Sequence, residues 1–599
     1  MRGRPARRGV SGTRRRAPVR RGLFNRRPPG KTPPASRIVT LLVAMAIGFG
    51  AITVRLVLLQ IKDASALQAL ARDQRVRNIT APAPRGTIFD RNGEELAMTL
   101  PAKTVFADPG LVRDAPSEAW VVSAYLGLDQ PTVLQAMRRP GRFVYLARGV
   151  APAVAKELQK QQLPGIGFLD ESRRYYPAGP MAPQVLGVVG VDGTGLAGLE
   201  LSYQRVLAGR PGREVMEEDP TGVLIPQGAN SDQPPVPGGD LVLTLDREIQ
   251  FRAQEALAAA VKSNRAKDGT VIVMDPRTGD ILAMVSYPWF DPNHLTHISP
   301  EFVRNRSVTD VYEPGSVNKV ITAAGALQDK VLTLRQKLTV PDHFQTADKV
   351  FHDAHPHPTE RMRLADVIAR SSNIGAIEIA HLLGAERLGS YLHQFGLGSA
   401  TGVGFPGESP GVLPPPSRWG ATDMGSFPIG QGIAETPLQL ACVYATIANG
   451  GVWVQPRLVR SIVAPDGQVT ASPPPRTRRV VSPATAAAVT QVLAYAVDAG
   501  TGTQAQIPEY WVAGKTGTAR KVNSAGTGYS SRYVASFIGF VPAAKPALVV
   551  AAVLDEPATV YGGVAAAPLF RDVARFALAR LRVPTEPRLP FPPHLLPGE

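Results

Sequence analysis

Glu313-Pro314-Gly315-Ser316-Val317-Asn318-Lys319 opens onto the apolar run Val317–Leu327. Pro314 and Gly315 end a loop, and the run behind them reads as a buried helix. Ser316 and Lys319, three residues apart, then share one face at its N-terminus. A serine hydroxyl is a weak nucleophile until a neighbour takes its proton. A lysine can be that neighbour once burial or nearby cations lower its pKa. Backbone N–H groups at a helix start can stabilise the oxyanion of acyl transfer. Alone, the pair reads as an N-cap serine beside an exposed lysine, and a lone S-x-x-K is expected about once by chance in a chain of this size.

Two further motifs follow in order. Ser371-Ser372-Asn373 lies between the helical patterns Leu364–Ala369 and Ile374–Leu383. It is a polar helix–helix turn by composition, or a hydroxyl and an amide able to relay a proton and hold a substrate amide. Lys515-Thr516-Gly517-Thr518 follows the apolar strand Tyr510–Ala513 and Gly514. Lysine with two hydroxyls suits a carboxylate, and Gly517 lets a backbone or ligand approach closely. A phosphate-binding loop fails here, because the glycine it needs five positions before Gly514 is Glu509.

The surrounding pattern predicts the α+β class. Strands are expected at Leu241–Leu245, Thr270–Met274 and Ile281–Val285, with a helix over Glu248–Ala266. Three more strands are expected at Tyr510–Ala513, Val534–Val541 and Ala547–Leu554. Helical patterns fall between the early and late strands, which gives an antiparallel sheet with a helical insertion. Gln227–Gly239, rich in Pro, Gly, Asp and Asn, reads as a domain boundary. Before it, residues 60–80 read as helical, with an amphipathic run at Ala64–Arg72. Arg85-Gly86-Thr87-Ile88-Phe89-Asp90-Arg91-Asn92-Gly93 reads as a strand and tight turn.

Length and charge narrow the class. The 599 residues are too many for one ordinary domain. The formal charge of +17 is concentrated in an arginine-rich run over residues 1–37 that contains no acid. It is therefore a tail rather than a nucleic-acid-binding groove. A single cysteine, Cys442, rules out an internal disulfide framework, a zinc ribbon and an iron–sulfur protein. Ile38–Val54 is free of charge, and after Arg55 the run Leu56–Leu59 continues it. A helix over the first 17 residues would span roughly 26 Å. We read an uncleaved membrane anchor with the basic tail inside and the rest outside; a cleaved signal peptide is the alternative.

The three motifs, S-x-x-K, S-x-N and K-T-G in this order, resemble the active sites of penicillin-binding proteins and serine β-lactamases. The length, anchor and preceding domain resemble class B, monofunctional transpeptidases. Arg85–Gly93 is similar to the start of their non-catalytic pedestal domain. Gly198-Leu199-Glu200, with Tyr203 and Leu207-Ala208-Gly209, is similar to a later stretch of it. Glu313-Pro314-Gly315, and Asp555-Glu556-Pro557 with Tyr561-Gly562-Gly563, most resemble the FtsI-like cell-division branch. Many relatives have small or hydroxyl residues where this chain has Val317-Asn318.

The resemblance implies a basic cytoplasmic tail (1–37), a single transmembrane helix (38–59), an elongated mixed pedestal domain (60–235), a transpeptidase domain (236–583) and a Pro-rich tail (584–599). It implies that Ser316 attacks the penultimate D-Ala carbonyl of a peptidoglycan stem peptide, with Lys319 as base. Ser371 and Asn373 would assist proton transfer and hold substrate. Lys515, Thr516, Gly517 and Thr518 would bind the terminal carboxylate, with the Thr518 and Ser316 N–H groups as oxyanion donors. β-Lactams would acylate Ser316. No cofactor or metal is implied, and a separate FtsW-like polymerase and other division proteins would be partners, with localisation at the plasma (inner) membrane. An elongation transpeptidase and a non-enzymatic β-lactam sensor are the alternatives. His343, His352, His355 and His357, with Asp342 and Asp353, crowd one stretch in a spacing that matches no standard zinc pattern, so a polar loop at the site's rim is expected.

Overall fold

The computed structural model describes residues 34–62, 76–217, 231–295, 298–523 and 528–586. The chain divides into two compact units, Met1–Asn78 with Val215–Asn230, and Ile79–Glu214 with Ser231–Glu599. In the first, α1 (Pro34–Val57) runs into a π-helical turn, Leu58–Lys62. Over Ala35–Ile61 the mean hydropathy is 2.3 in its most apolar window and that window is unburied, so this helix is long and apolar enough to cross a membrane. The amphipathic run expected at Ala64–Arg72 falls mostly outside the described residues. The expected helix to residue 80 is corrected at its end: Val76–Ala81 is a strand, in keeping with β-branched Val76, Ile79 and Thr80.

The second unit begins with the expected strand and turn. β1 (Ile88–Phe89) and β2 (Glu95–Ala107) are joined by a turn. There Asp90 Oδ1 accepts from Asn92 N (2.7 Å) and Glu94 N (2.9 Å), and Gly93 has φ +90°. β2 is flanked by β3 (Val144–Val150) and β4 (Ile166–Tyr175). On its other side β1 pairs in parallel with β5 (Asp240–Leu243). One sheet therefore runs from the expected pedestal into the expected catalytic half.

After β5, the Asp246 carboxylate caps α2 (Arg247–Asn264), accepting from Glu248 N (3.1 Å) and Ile249 N (3.2 Å). Ile249, Ala253, Leu257 and Val261 recur every four residues along α2 and are all buried. They pack on a second sheet that starts with β6 (Asp268–Met274) and β7 (Ile281–Tyr287). The first helical turn after Gly315 is 3₁₀, Gly315–Asn318, and continues as α3 (Lys319–Gln328). The insertion goes on through the hairpin β8 (His343–Thr346) and β9 (Lys349–His352), then α4 (Leu364–Arg370), α5 (Asn373–Leu383), α6 (Pro437–Ala448) and α7 (Pro483–Asp498). The chain then returns to the sheet as β10 (Ala513–Val522), β11 (Tyr529–Val541) and β12 (Leu548–Asp555), and closes with α8 (Ala567–Arg580).

The five strands lie in the order β7-β6-β12-β11-β10, every pair antiparallel. β6 is buried along its whole length, and its residues divide by parity. Val271 and Val273 join the core beneath α2 and α8, while Ile272 and Met274 join the core under the helical insertion. Each such side chain, fully buried, contributes on the order of 1.5–3 kcal/mol. That two-sided burial explains why β6 reads as a continuous apolar run rather than an alternating one.

Candidate active site

The 3₁₀ turn places Ser316 and Lys319 on the same edge, since residues three apart eclipse in that geometry. The turn is held from several sides. Gly315 adopts φ +60° and donates its N–H to Gly430 O (3.0 Å). A Cβ on Gly430 would lie 2.3 Å from Gly315 O, so two glycines let the loops meet. Val317 and Asn318 are structural: the buried Tyr444 hydroxyl donates to Val317 O (2.9 Å), and Asn318 Nδ2 donates to Phe427 O (2.9 Å). Glu313 Oε1 accepts from Gly432 N (2.8 Å) and the Tyr529 hydroxyl (3.2 Å), fastening the turn to α6's approach and to the start of β11.

Lys319 is fully buried. Its Nζ donates to Ser371 O (2.6 Å) and to Asn373 Oδ1 (2.8 Å). The first and second motifs thus meet at one nitrogen. Burial lowers the Lys319 pKa to about 7, with Asp353 pulling weakly the other way. Ser371 closes α4 in the left-handed conformation (φ 62°), and Ser372 caps α5 by accepting from Gly375 N (2.9 Å). Asn373 Nδ2 donates to His352 O (2.9 Å), so the amide's orientation is fixed at both ends.

The third motif lies within β10 rather than after a strand. The sequence pattern placed the strand at Tyr510–Ala513; in the structure Tyr510 makes only an isolated bridge to Ile507, and the strand begins at Ala513. The polar residues Lys515, Thr516 and Thr518 misled the apolar-run criterion, because β10 pairs along their length with β11. β10 runs past the serine turn. A Cβ on Gly517 would sit 3.0 Å from Val317 Cγ1 and 3.2 Å from Pro314 O, so glycine is what permits the approach. Lys515 is fully buried, its pKa driven well below normal by burial and then by the neighbouring Lys319 charge. Its Nζ contacts are neutral oxygens: Thr516 Oγ1 (3.1 Å), Thr516 O (3.2 Å) and Thr501 Oγ1 (3.4 Å). Thr518 Oγ1 accepts from Gly562 N (3.1 Å).

All eight expected residues therefore lie on three stretches of chain that converge: the serine turn with the start of α3, the α4–α5 junction, and β10. Two further residues contribute, one without a sequence signal and one from the stretch expected at the rim. Thr501, in a Gly-Thr-Gly-Thr loop, shares its hydroxyl with Thr516 (2.8 Å). Asp353, from the histidine-rich stretch, accepts from Asn373 N and from Ile374 N (3.0 Å) and contacts His357 Nε2 (3.1 Å). His343 and His352 face each other across the β8–β9 hairpin. Among the described residues no group of three or more His, Cys, Asp or Glu side chains gathers as a metal set; Asp353 is committed to the α5 N-terminus instead.

A serine and a buried lysine three residues apart, beside a strand that carries a second buried lysine and two hydroxyls, are the groups a serine acyltransferase site needs. The chain belongs to the class B, FtsI-like penicillin-binding proteins. The penicillin-binding protein transpeptidase domain matches residues 269–575, and the penicillin-binding protein dimerisation domain matches residues 80–243. It is 37% identical to the penicillin-binding protein PbpB of Mycolicibacterium smegmatis, over 90% of this chain and 89% of that one. It is 34% identical to the peptidoglycan D,D-transpeptidase FtsI of Escherichia coli, over 86% of both. Its fold superposes on penicillin-binding protein 3 of Mycobacterium tuberculosis in complex with aztreonam, with TM-score 0.69 and 33% identity, covering 85% of this chain and 98% of that one.

Proposed function

We infer that the protein is the peptidoglycan D,D-transpeptidase of septal wall synthesis. The observation that carries the acyl transfer is the pair of buried lysines: Lys319, three residues after Ser316, and Lys515, whose Nζ bonds among the described residues go to neutral oxygens; the septal role is supported by the likeness to FtsI of Escherichia coli. Burial without a counter-ion pushes the Lys515 amine toward its neutral form, and a substrate carboxylate supplies the counter-ion that lets it carry a proton. In this reading Ser316 Oγ attacks the penultimate D-Ala carbonyl of the donor stem, and its proton passes to neutral Lys319. Lys319 is held by Ser371 O and Asn373, and the Ser316 and Thr518 N–H groups stabilise the oxyanion. Lys515, Thr516 and Thr518 hold the terminal carboxylate. The C–N bond breaks, the departing D-Ala amine takes that proton from Lys319, and the acyl group stays on Ser316. An amine of a second stem then attacks the ester, returning the hydroxyl to Ser316 and leaving a cross-link. β-Lactams, whose carboxylate and strained amide mimic that dipeptide, acylate the same oxygen.

The arginine-rich tail before α1 supports a cytoplasmic N-terminus and an external catalytic half. Because the site performs acyl transfer only, glycan strands come from an FtsW-like polymerase in the same membrane. The test is to deplete the protein from growing cells and complement with the wild type or Ser316→Ala. This reading expects long cells blocked at constriction, with a tagged copy at the division site. Round or swollen cells with a dispersed copy would favour the elongation role.

A further inference from the structure

We propose that His357 is a positioning residue for the acyl transfer: it stands as an imidazolium against Asp353 and keeps that carboxylate where it orders Asn373, the side chain that holds Lys319. The ring's two partners require the charge. Nδ1 lies 2.7 Å from Pro358 O, and Nε2 lies 3.1 Å from Asp353 Oδ2. A carbonyl and a carboxylate only accept. A neutral imidazole has one N–H and would turn a lone pair toward one of them, whereas the imidazolium donates to both. The pair is largely shielded from solvent, with the His357 side chain 14% exposed and that of Asp353 8%.

From there the contacts run inward without a gap. Asp353 Oδ1 accepts from Asn373 N and from Ile374 N (3.0 Å), at the first turn of α5. Asn373 Oδ1 accepts from Lys319 Nζ (2.8 Å). The Asp353 charge also favours the ammonium form of Lys319, against the burial that lowers its pKa. An imidazolium beside Asp353 offsets that charge and so keeps Lys319 nearer the neutral form that can take a proton.

The other charges around the ring do not replace it. Asp342 Oδ1 accepts from His357 N (3.3 Å), and Glu360 is paired with Arg370 at the end of α4. The Pro358 carbonyl first, and then Asp353, hold the His357 pKa above its ordinary value. Loss of the imidazolium therefore raises the Lys319 pKa, and acylation slows on the acid side of the profile, where Lys319 is mostly protonated.

This inference rests on the proposed reaction, and the test separates the two. Benzylpenicillin acylation of the full chain in detergent micelles is followed by stopped flow from pH 5.5 to 9. His357→Gln should be about three-fold slower than the wild type at pH 6. It should meet the wild type by pH 9, where the wild-type ring has lost its charge too. His357→Lys returns a cation to Asp353 and should recover most of the rate at pH 6. In parallel, nuclear magnetic resonance of the chain labelled with [15N]histidine reads the ring directly, through the resonance that His357→Gln lacks. Both nitrogens should be protonated in the acid range, and the ring should lose its proton at a higher pH than free histidine. A ring that titrates at or below free histidine overturns the proposal, as does an unshifted profile in His357→Gln or equal slowing at every pH. A wild type that acylates at no pH would instead overturn the proposed reaction, so the two failures are separable.

Discussion

Lys319 Nζ is sealed from water, with two fixed acceptors and a pKa of about 7. Its neutral form, the one able to accept a proton, is populated above that pH, so the sign is fixed: acylation by penicillin should rise with pH through about 7 and then level. Stopped-flow acylation from pH 5.5 to 9 checks this, and a flat profile would remove Lys319 as the base. Lys319→Arg, always charged, should abolish the reaction. Thr518 has a different role. Its oxygen already accepts from Gly562 N, which leaves its O–H to donate to a substrate carboxylate. Thr518→Val should slow acylation roughly ten- to a hundred-fold, corresponding to about 1.5–3 kcal/mol. The effect should be larger for carboxylate-bearing substrates than for their amides. Equal slowing of both would make its role structural. These residues were legible because their chemistry is local and ordered along the chain. Thr501 was not, since a hydroxyl in a loop gains its meaning only from its partner on β10; Asp353 stood out only as part of the histidine-rich stretch at the rim, and its capping of α5 shows only in the fold.

Elements, rather than motifs, set the site's geometry. The serine turn is 3₁₀ and rests on α6 through the Tyr444 hydroxyl. Tyr444→Phe leaves Val317 O buried without that donor, a loss of about 1–3 kcal/mol. Differential scanning calorimetry should show a lower Tm, and acylation should slow as the turn loosens; an unchanged Tm would mean another group satisfies that carbonyl. Helices were read well where apolar residues recur at helical spacing, as in α2. β10 differs from its apolar start, because the strand pairs with β11 along the polar residues Lys515, Thr516 and Thr518. The segment ending in Val76–Ala81 was misread because an amphipathic pattern of this length does not separate a helix from a helix followed by a strand.

At the scale of the molecule, β1 and β5 make one sheet out of two sequence-distant halves. The Arg85–Glu200–Arg174 cluster is buried on the pedestal side of that join. Glu200→Ala would leave two buried guanidinium groups without their carboxylate, at a cost of about 3–5 kcal/mol. Because the sheet is shared, heating should melt the pedestal and abolish penicillin acylation together, at a lower temperature than in the wild type. An acylation-competent catalytic half that outlasts the pedestal transition would show that the halves fold independently. The order of helices and strands of the second sheet, its antiparallel character and an apolar helix long enough to cross a membrane were visible in the sequence. The parallel β1–β5 pairing was not, since β1 has only two residues and its partner lies far along the chain.

Every step of the proposed reaction depends on Ser316 as the acylated nucleophile. Intact-mass spectrometry of the full chain and of Ser316→Ala after incubation with benzylpenicillin tests it most directly. One covalent adduct is expected on the wild type, mapped by proteolysis to the peptide containing Ser316, and none on Ser316→Ala. An adduct on Ser316→Ala, or one mapped to another residue of the wild type, would contradict it.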